Sequence, residues 1–313
     1  MVEKRKKESR VLTDLTNSNI KNAVRLWCSN RAKAETKYGH ISAWDVSSVT
    51  NMKKLFENKE TFNDDIGGWD VSNVTDMESM FRHAYAFNQP IGKWNVSNVT
   101  NMSNMFGGSN MFNINTTETF NQDISDWNVS NVSTMEGMFY AAVEFNHPIG
   151  DWDVSNVTNM YCMFCYAFDF NQPIGNWDVS NVTNMGGMFI HALPFNQTIG
   201  DWDVSNVTNM GWMFKYAHVF NRPIGSWNVS NVTNMKYMFH EAHSFNQNIS
   251  DWNVSNVTNM ENMFYNAKVF NQPIGNWNVS KVSSMEGMFH TAHAFNQPIG
   301  NWNVSKVKFN NNM

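Results

Sequence analysis

Residues 170–189 read FNQPIGNWDVSNVTNMGGMF, and the same frame returns as FNQTIGDWDVSNVTNMGWMF at 195–214 and as FNRPIGSWNVSNVTNMKYMF at 220–239. The step is 25 residues. Outward from this stretch the tryptophan of the frame keeps the register. Trp44, Trp69, Trp94, Trp127, Trp152, Trp177, Trp202, Trp227, Trp252, Trp277 and Trp302 stand 25 apart, with one gap of 33. Self-similarity at a short fixed period marks a repeat architecture, in which a unit too small to bury its own apolar face buries it against its neighbours.

Inside one unit the apolar spacing changes. From Thr183 onward, Met185, Met188, Phe189 and Ala192 fall at i, i+3, i+4 and i+7, the spacing of one face of a short helix, with Thr183 placed as its N-cap. Upstream, Ile174, Trp177 and Val179 follow a proline and favour an extended segment. The expectation is an α/β repeat solenoid, leucine-rich-repeat-like, with one short strand and one short helix per 25-residue coil. At the spacing of a parallel sheet, ten to eleven such coils make a rod about 50 Å long.

Three segments depart from the frame. Residues 1–15 are a basic leader with Lys4, Arg5, Lys6, Lys7 and Arg10, read as a solvated tail. Residues 16–43 carry an apolar stripe, Ile20, Ala23, Val24 and Trp27, and Gly39 is placed to end a second short helix, so a helical N-terminal cap is expected there. The repeat solenoid then occupies 44–313. Phe106 and Phe120 are fourteen residues apart where the other coils have six, so an inserted loop is expected at 107–119.

Composition narrows the function. Net charge is −5, and the units are rich in Asp and Asn, the reverse of the basic footprint that phosphate binding requires, so no nucleic-acid partner is expected. Three cysteines, Cys28, Cys162 and Cys165, are too few for a disulfide framework and are read as reduced thiols. The start of the chain has no apolar signal region, and no run of 18 apolar residues occurs, so no membrane span is expected. An intracellular or virion-associated place is expected ahead of the cell surface.

The unit FNQPIGNWDVSNVTNM, followed after two variable residues by Met-Phe, resembles the BspA-type leucine-rich-repeat surface proteins of bacteria, protists, algae and some large DNA viruses, over about residues 40–309. The segment AVRLWCSNRAKAETKYGHISAWDVSSVTNMKKLF at 23–56 is similar to the leader of eukaryotic and viral members. The resemblance implies a solenoid used for adhesion or protein recognition and brings no catalytic residues with it.

The repeated polar residues have structural readings. The Asp or Asn after each tryptophan, such as Asp178, Asp203 and Asn228, alternates freely, which suits bonding to turn amides rather than a Ca²⁺ site built of carboxylates. His218, His243 and His293 share a register, with Lys268 between them, and two imidazoles do not close a zinc site, so no metal and no cofactor are expected. Cys162-x-x-Cys165 is read as a chance pair, and the recurrent Asn-Val-Ser/Thr sequons as by-products of the unit.

Specificity is expected where the copies differ. The pairs between the two methionines, such as Gly211-Trp212, Lys236-Tyr237 and Glu261-Asn262, vary without pattern. The candidate interaction surface is Trp212, Tyr216, Tyr237 and Tyr265, joined by Phe112 in the insertion and Phe309 at the C-terminal end. The expected function is non-enzymatic recognition, adhesion or structure, with another protein as partner or self-association through the C-terminal end. The alternative is carbohydrate or ice binding by the regular Thr, Asn and Trp ladders.

Overall fold

The computed structural model describes residues 13–108 and 118–308. Phe112, Phe309 and most of the expected 107–119 insertion therefore lie outside the described residues. Two helices precede the coils: α1 (Ile20–Ser29), whose buried residues are Ile20, Ala23, Val24 and Trp27, and α2 (Arg31–Tyr38), which buries Ala34 and Tyr38. The Asn30 side chain accepts from Lys33 N at the start of α2, and Gly39, at φ 80°, ends it. Trp27 packs edge-on against Trp44 of the first coil at 5.8 Å, tying the cap to the stack.

The coils themselves differ from the expectation. Among the described residues no α-helix lies in any coil, and the strand of each coil shrinks to one residue, a parallel bridge such as Asn184↔Asn209. That bridge falls inside the segment read as helical, not at Ile174–Val179. The backbone hydrogen bonds give the reason. The amides of Met185, Gly187, Phe189 and His191 donate to the next coil, at the carbonyls of Asn209, Gly211, Met213 and Lys215, over 2.8–3.0 Å. The amides that alternate with them close four-residue turns within the coil, Met188 to Met185, Ile190 to Gly187 and Ala192 to Phe189. Alternate amides pointing to a neighbour cannot also close i→i−4 rings.

Two left-handed residues per coil make that alternation geometrically feasible. They recur four residues apart, as Ser79 and His83, Cys162 and Tyr166, Gly187 and His191, Trp212 and Tyr216, or Tyr237 and Glu241, with φ between 55° and 65°. Met185, Met188, Phe189 and Ala192 nevertheless all face inward, each fully buried. The apolar spacing reported which side each residue faces; a chain of turns produces that spacing as a helix does. Thr183 is no N-cap either: its amide and hydroxyl both donate to the Thr158 carbonyl of the preceding coil, at 2.9 and 3.2 Å.

The core is one continuous column. Phe164, Phe189, Phe214 and Phe239 stack coil on coil with centroids 5.7–5.9 Å apart, and each meets a second phenylalanine of its own coil, as Phe189 meets Phe195 at 4.0 Å. From Trp69 to Trp277 each repeat tryptophan is buried with its indole N–H donating to the isoleucine carbonyl one repeat before, as Trp177 to Ile149 at 2.9 Å and Trp202 to Ile174 at 3.1 Å. The asparagines stitch the rim in the same way. Asn146 Oδ1 accepts from Asn171 N and Gln172 Nε2, both at 3.0 Å, and Asn181 Nδ2 donates to Ser155 O at 2.7 Å. At the far end, Met285, Met288, Phe289 and Trp302 line an open apolar hollow of about 560 Å³.

Candidate functional site

The repeated Asp and Asn residues hold turns. Asp178 Oδ1 accepts from Ser180 N at 3.0 Å, Asp203 Oδ1 from Ser205 N at 3.0 Å and Asn228 Oδ1 from Ser230 N at 3.2 Å. Hydrogen bonds from the serines hold the Asp178 and Asp203 carboxyls below the usual range. An amide oxygen serves as well as a carboxylate here, which accounts for the free exchange of Asp and Asn along the ladder.

The face that varies is built differently. From Tyr140 onward the segment after the second methionine carries a ring that meets the ring of the next coil: Tyr166 and His191 (4.7 Å), His191 and Tyr216 (4.1 Å), His240 and Tyr265 (4.6 Å) and Tyr265 and His290 (5.0 Å) stack, while Tyr140 meets Tyr166 (5.8 Å) and Tyr216 meets His240 (5.3 Å) edge-on. Beside this column Trp212 and Tyr237 lie parallel at 6.2 Å. Lys215 Nζ sits 4.8 Å from the Tyr237 centroid and Lys236 Nζ 5.1 Å, both over the ring face. Lys236 also pairs with Glu261 at 2.9 Å, and Tyr237 Oη donates to Glu261 Oε1 at 3.1 Å.

Of the residues singled out in the sequence, the structure brings Trp212, Tyr216, Tyr237 and Tyr265 to this one face, all half-buried. Left-handed backbone at Trp212, Tyr216 and Tyr237 belongs to the turn geometry of the coil. The histidines of the column, His191, His240 and His290, were missed because its rings occupy two registers, Tyr166, His191 and Tyr216 standing two past their phenylalanine and Tyr140, His240, Tyr265 and His290 one past theirs, so neither register alone shows the column. Column-wise reading of the first and second positions after the fixed phenylalanine would have found them.

Burial gives the column its electrostatic character. It pushes the His191 and His240 imidazoles down to about 4, with the neighbouring Lys215 adding to the effect at both. Burial and then Lys236 also hold the Lys215 ammonium below its usual value. His191 Nε2 and His240 Nδ1 are buried with no hydrogen-bond partner among the described residues. At neutral pH His191 and His240 are therefore neutral rings with Lys215 beside them.

The column runs down into a groove of about 800 Å³ between Arg82, Glu136, Tyr140, Tyr161, Cys162 and Tyr166. Cys28, Cys162 and Cys165 are all free. Burial raises the Cys165 thiol, while the bond from Cys165 lowers that of Cys162. Glu118, 2% exposed, is pushed up to about 9 by burial and stands neutral at neutral pH. Among the described residues, one trio of metal-ligating side chains converges, His218, Glu241 and His243, although the sequence suggested no metal. No described helix is long and apolar enough to cross a membrane.

Against known families, the one described as "Mycoplasma protein of unknown function, DUF285" matches residues 27–118, 109–197, 169–269 and 247–313, overlapping stretches that take in the cap from Trp27 and every coil. The chain belongs to the DUF285 family. DUF285 membership establishes a repeat protein and assigns no activity. No curated protein matches. Among solved structures, the functional domain of InlJ from Listeria monocytogenes, which includes a cysteine ladder, is similar at 9% identity with a TM-score of 0.17. The alignment covers 80% of this DUF285 chain and 63% of the InlJ chain, and so spans less than two thirds of the length of that structure. A likeness of that size carries no inference about fold or function.

Proposed function

We propose that this DUF285 protein is a non-enzymatic recognition protein of the BspA-type leucine-rich-repeat kind, and that the stacked tyrosine–histidine face receives a protein partner. The observation that carries this is the distribution of variation. The ladders of Trp, Asn, Asp and Thr are already bonded to their own turn or to a neighbouring coil, whereas Tyr140 through His290 differ from coil to coil along one continuous face. Half-buried rings held by stacking lose little conformational freedom on docking, which makes them effective anchors. The Thr hydroxyl protons, which the ice-binding alternative would use, already bond to backbone.

The test compares the whole chain with a Trp212→Ser/Tyr237→Ser variant in capture of proteins from the source organism, alongside a glycan array and thermal hysteresis. A specific protein lost in the variant is the expected result. Glycan binding or hysteresis without such a protein would replace recognition with the carbohydrate or ice reading. Adhesion is the cellular form this recognition would take. Self-association through the C-terminal end is the second partner proposed. It predicts a dimer in sedimentation that dissociates on Phe289→Asp; a monomer at all concentrations removes it.

A further inference from the structure

We propose that His218, Glu241 and His243 form a single site for a divalent transition ion of the zinc class, held by three protein ligands with one coordination position open. The inference is independent of the recognition reading and rests on what converges at one point of the stack. The imidazoles of His218 and His243, from adjacent coils, lie parallel with centroids 4.5 Å apart. Glu241, two residues before His243, reaches back so that its Oε2 is 2.7 Å from His243 Nε2. One donor atom from each of the three falls within 4.8 Å of the other two.

The donor set selects the ion. Two imidazole nitrogens and one carboxylate suit zinc, nickel or copper, whereas calcium and magnesium favour all-oxygen shells. Three protein ligands with a remaining position for water is the arrangement of open zinc sites. The surroundings support the ligands: Asn266 Nδ2 donates to Glu241 Oε2 at 2.7 Å, which fixes the carboxylate. Lys268, at the next step of the same register, is the opposing charge.

The cluster is also unlike the rest of the molecule. Elsewhere the same two positions hold His191 and Leu193, Tyr216 and His218, Asn266 and Lys268, or Thr291 and His293, so Glu beside His occurs once at this register. The scaffold does not demand these residues, since neighbouring coils fold without them.

The test is Zn²⁺ titration of the whole chain by calorimetry, with bound metal counted after dialysis. One Zn²⁺ per chain is expected. His218→Ala, Glu241→Gln and His243→Ala should each remove it, and Asn266→Ala should weaken it by about tenfold through loss of the carboxylate's support. Lys268→Ser should tighten it. His293→Ala and Cys28→Ser should leave it unchanged. On the unmutated chain, imidazole ¹⁵N spectra should show Zn²⁺ shifting the nitrogens of His218 and His243 alone, a readout that survives if a variant fails to fold. No stoichiometric binding, binding that persists in His243→Ala, or shifts at other histidines would overturn the site.

Discussion

At the scale of single residues, two side chains show how completely the repeat is used by its own scaffold. The buried indole of Trp202 fills the core and donates to the Ile174 carbonyl, so Trp202→Phe keeps most of the apolar contact but removes the bond between coils, leaving that carbonyl with the Trp177 amide alone. The expected cost is about 0.5–1.5 kcal/mol, read by urea denaturation as a lower midpoint with the same coil architecture; a variant as stable as the parent would show that the bond contributes nothing. The histidines give a pH dependence. His191 and His240 are held near 4 in the folded chain, against about 6.5 when unfolded, so the unfolded state binds more protons between those values. Stability should fall as pH drops from about 6.5 toward 4. Of the charged groups that face them, Lys215 disfavours the protonated form of both and His218 that of His191, while Glu241 favours that of His240. A His191→Phe/His240→Phe variant should flatten the dependence of thermal midpoint on pH in that window; an unchanged slope would mean the burial is not felt.

At the scale of the element, the question is why a helix-like spacing gives turns. The sequence correctly placed Met185, Met188, Phe189 and Ala192 on the inner side, and it placed Ile20, Ala23, Val24 and Trp27 on the buried face of α1. It could not show where the amides donate, because both a helix and a succession of turns repeat near 3.6 residues. The left-handed positions were hidden as well. Glycine would have announced them at every coil, but Trp212, Tyr216 and Tyr237 occupy them in this chain, while glycine stands there only at Gly137, Gly187 and Gly287. The structure therefore predicts opposite signs for one substitution. Ala141 has φ 58°, and Ala141→Gly should stabilise the chain by about 1 kcal/mol by relieving that conformation. In a helix the same change would destabilise by about 1 kcal/mol. Differential scanning calorimetry of the two proteins decides the sign.

At the scale of the whole molecule, the chain is a stack whose coils hold one another through backbone ladders, side-chain ladders and ring stacks. The register and the core were legible in the sequence because they recur. The outer face was legible only in part. Trp212, Tyr216, Tyr237 and Tyr265 stood out as variable aromatics, but the histidines that link them, and the meeting of His218 with Glu241 and His243, depend on which residues of adjacent coils lie side by side. The repeated residues explain the fold; the non-repeated ones compose the candidate surface. All of this depends on coils made of turns, with helix confined to the 10 residues of α1, the 8 of α2 and one 3₁₀ turn at Ile41–Ala43 among the described residues. Far-UV circular dichroism of the whole chain tests that directly. The structure predicts a spectrum with only that minor helical contribution, and a helical signal several times larger, as one helix in every coil would produce, would contradict it.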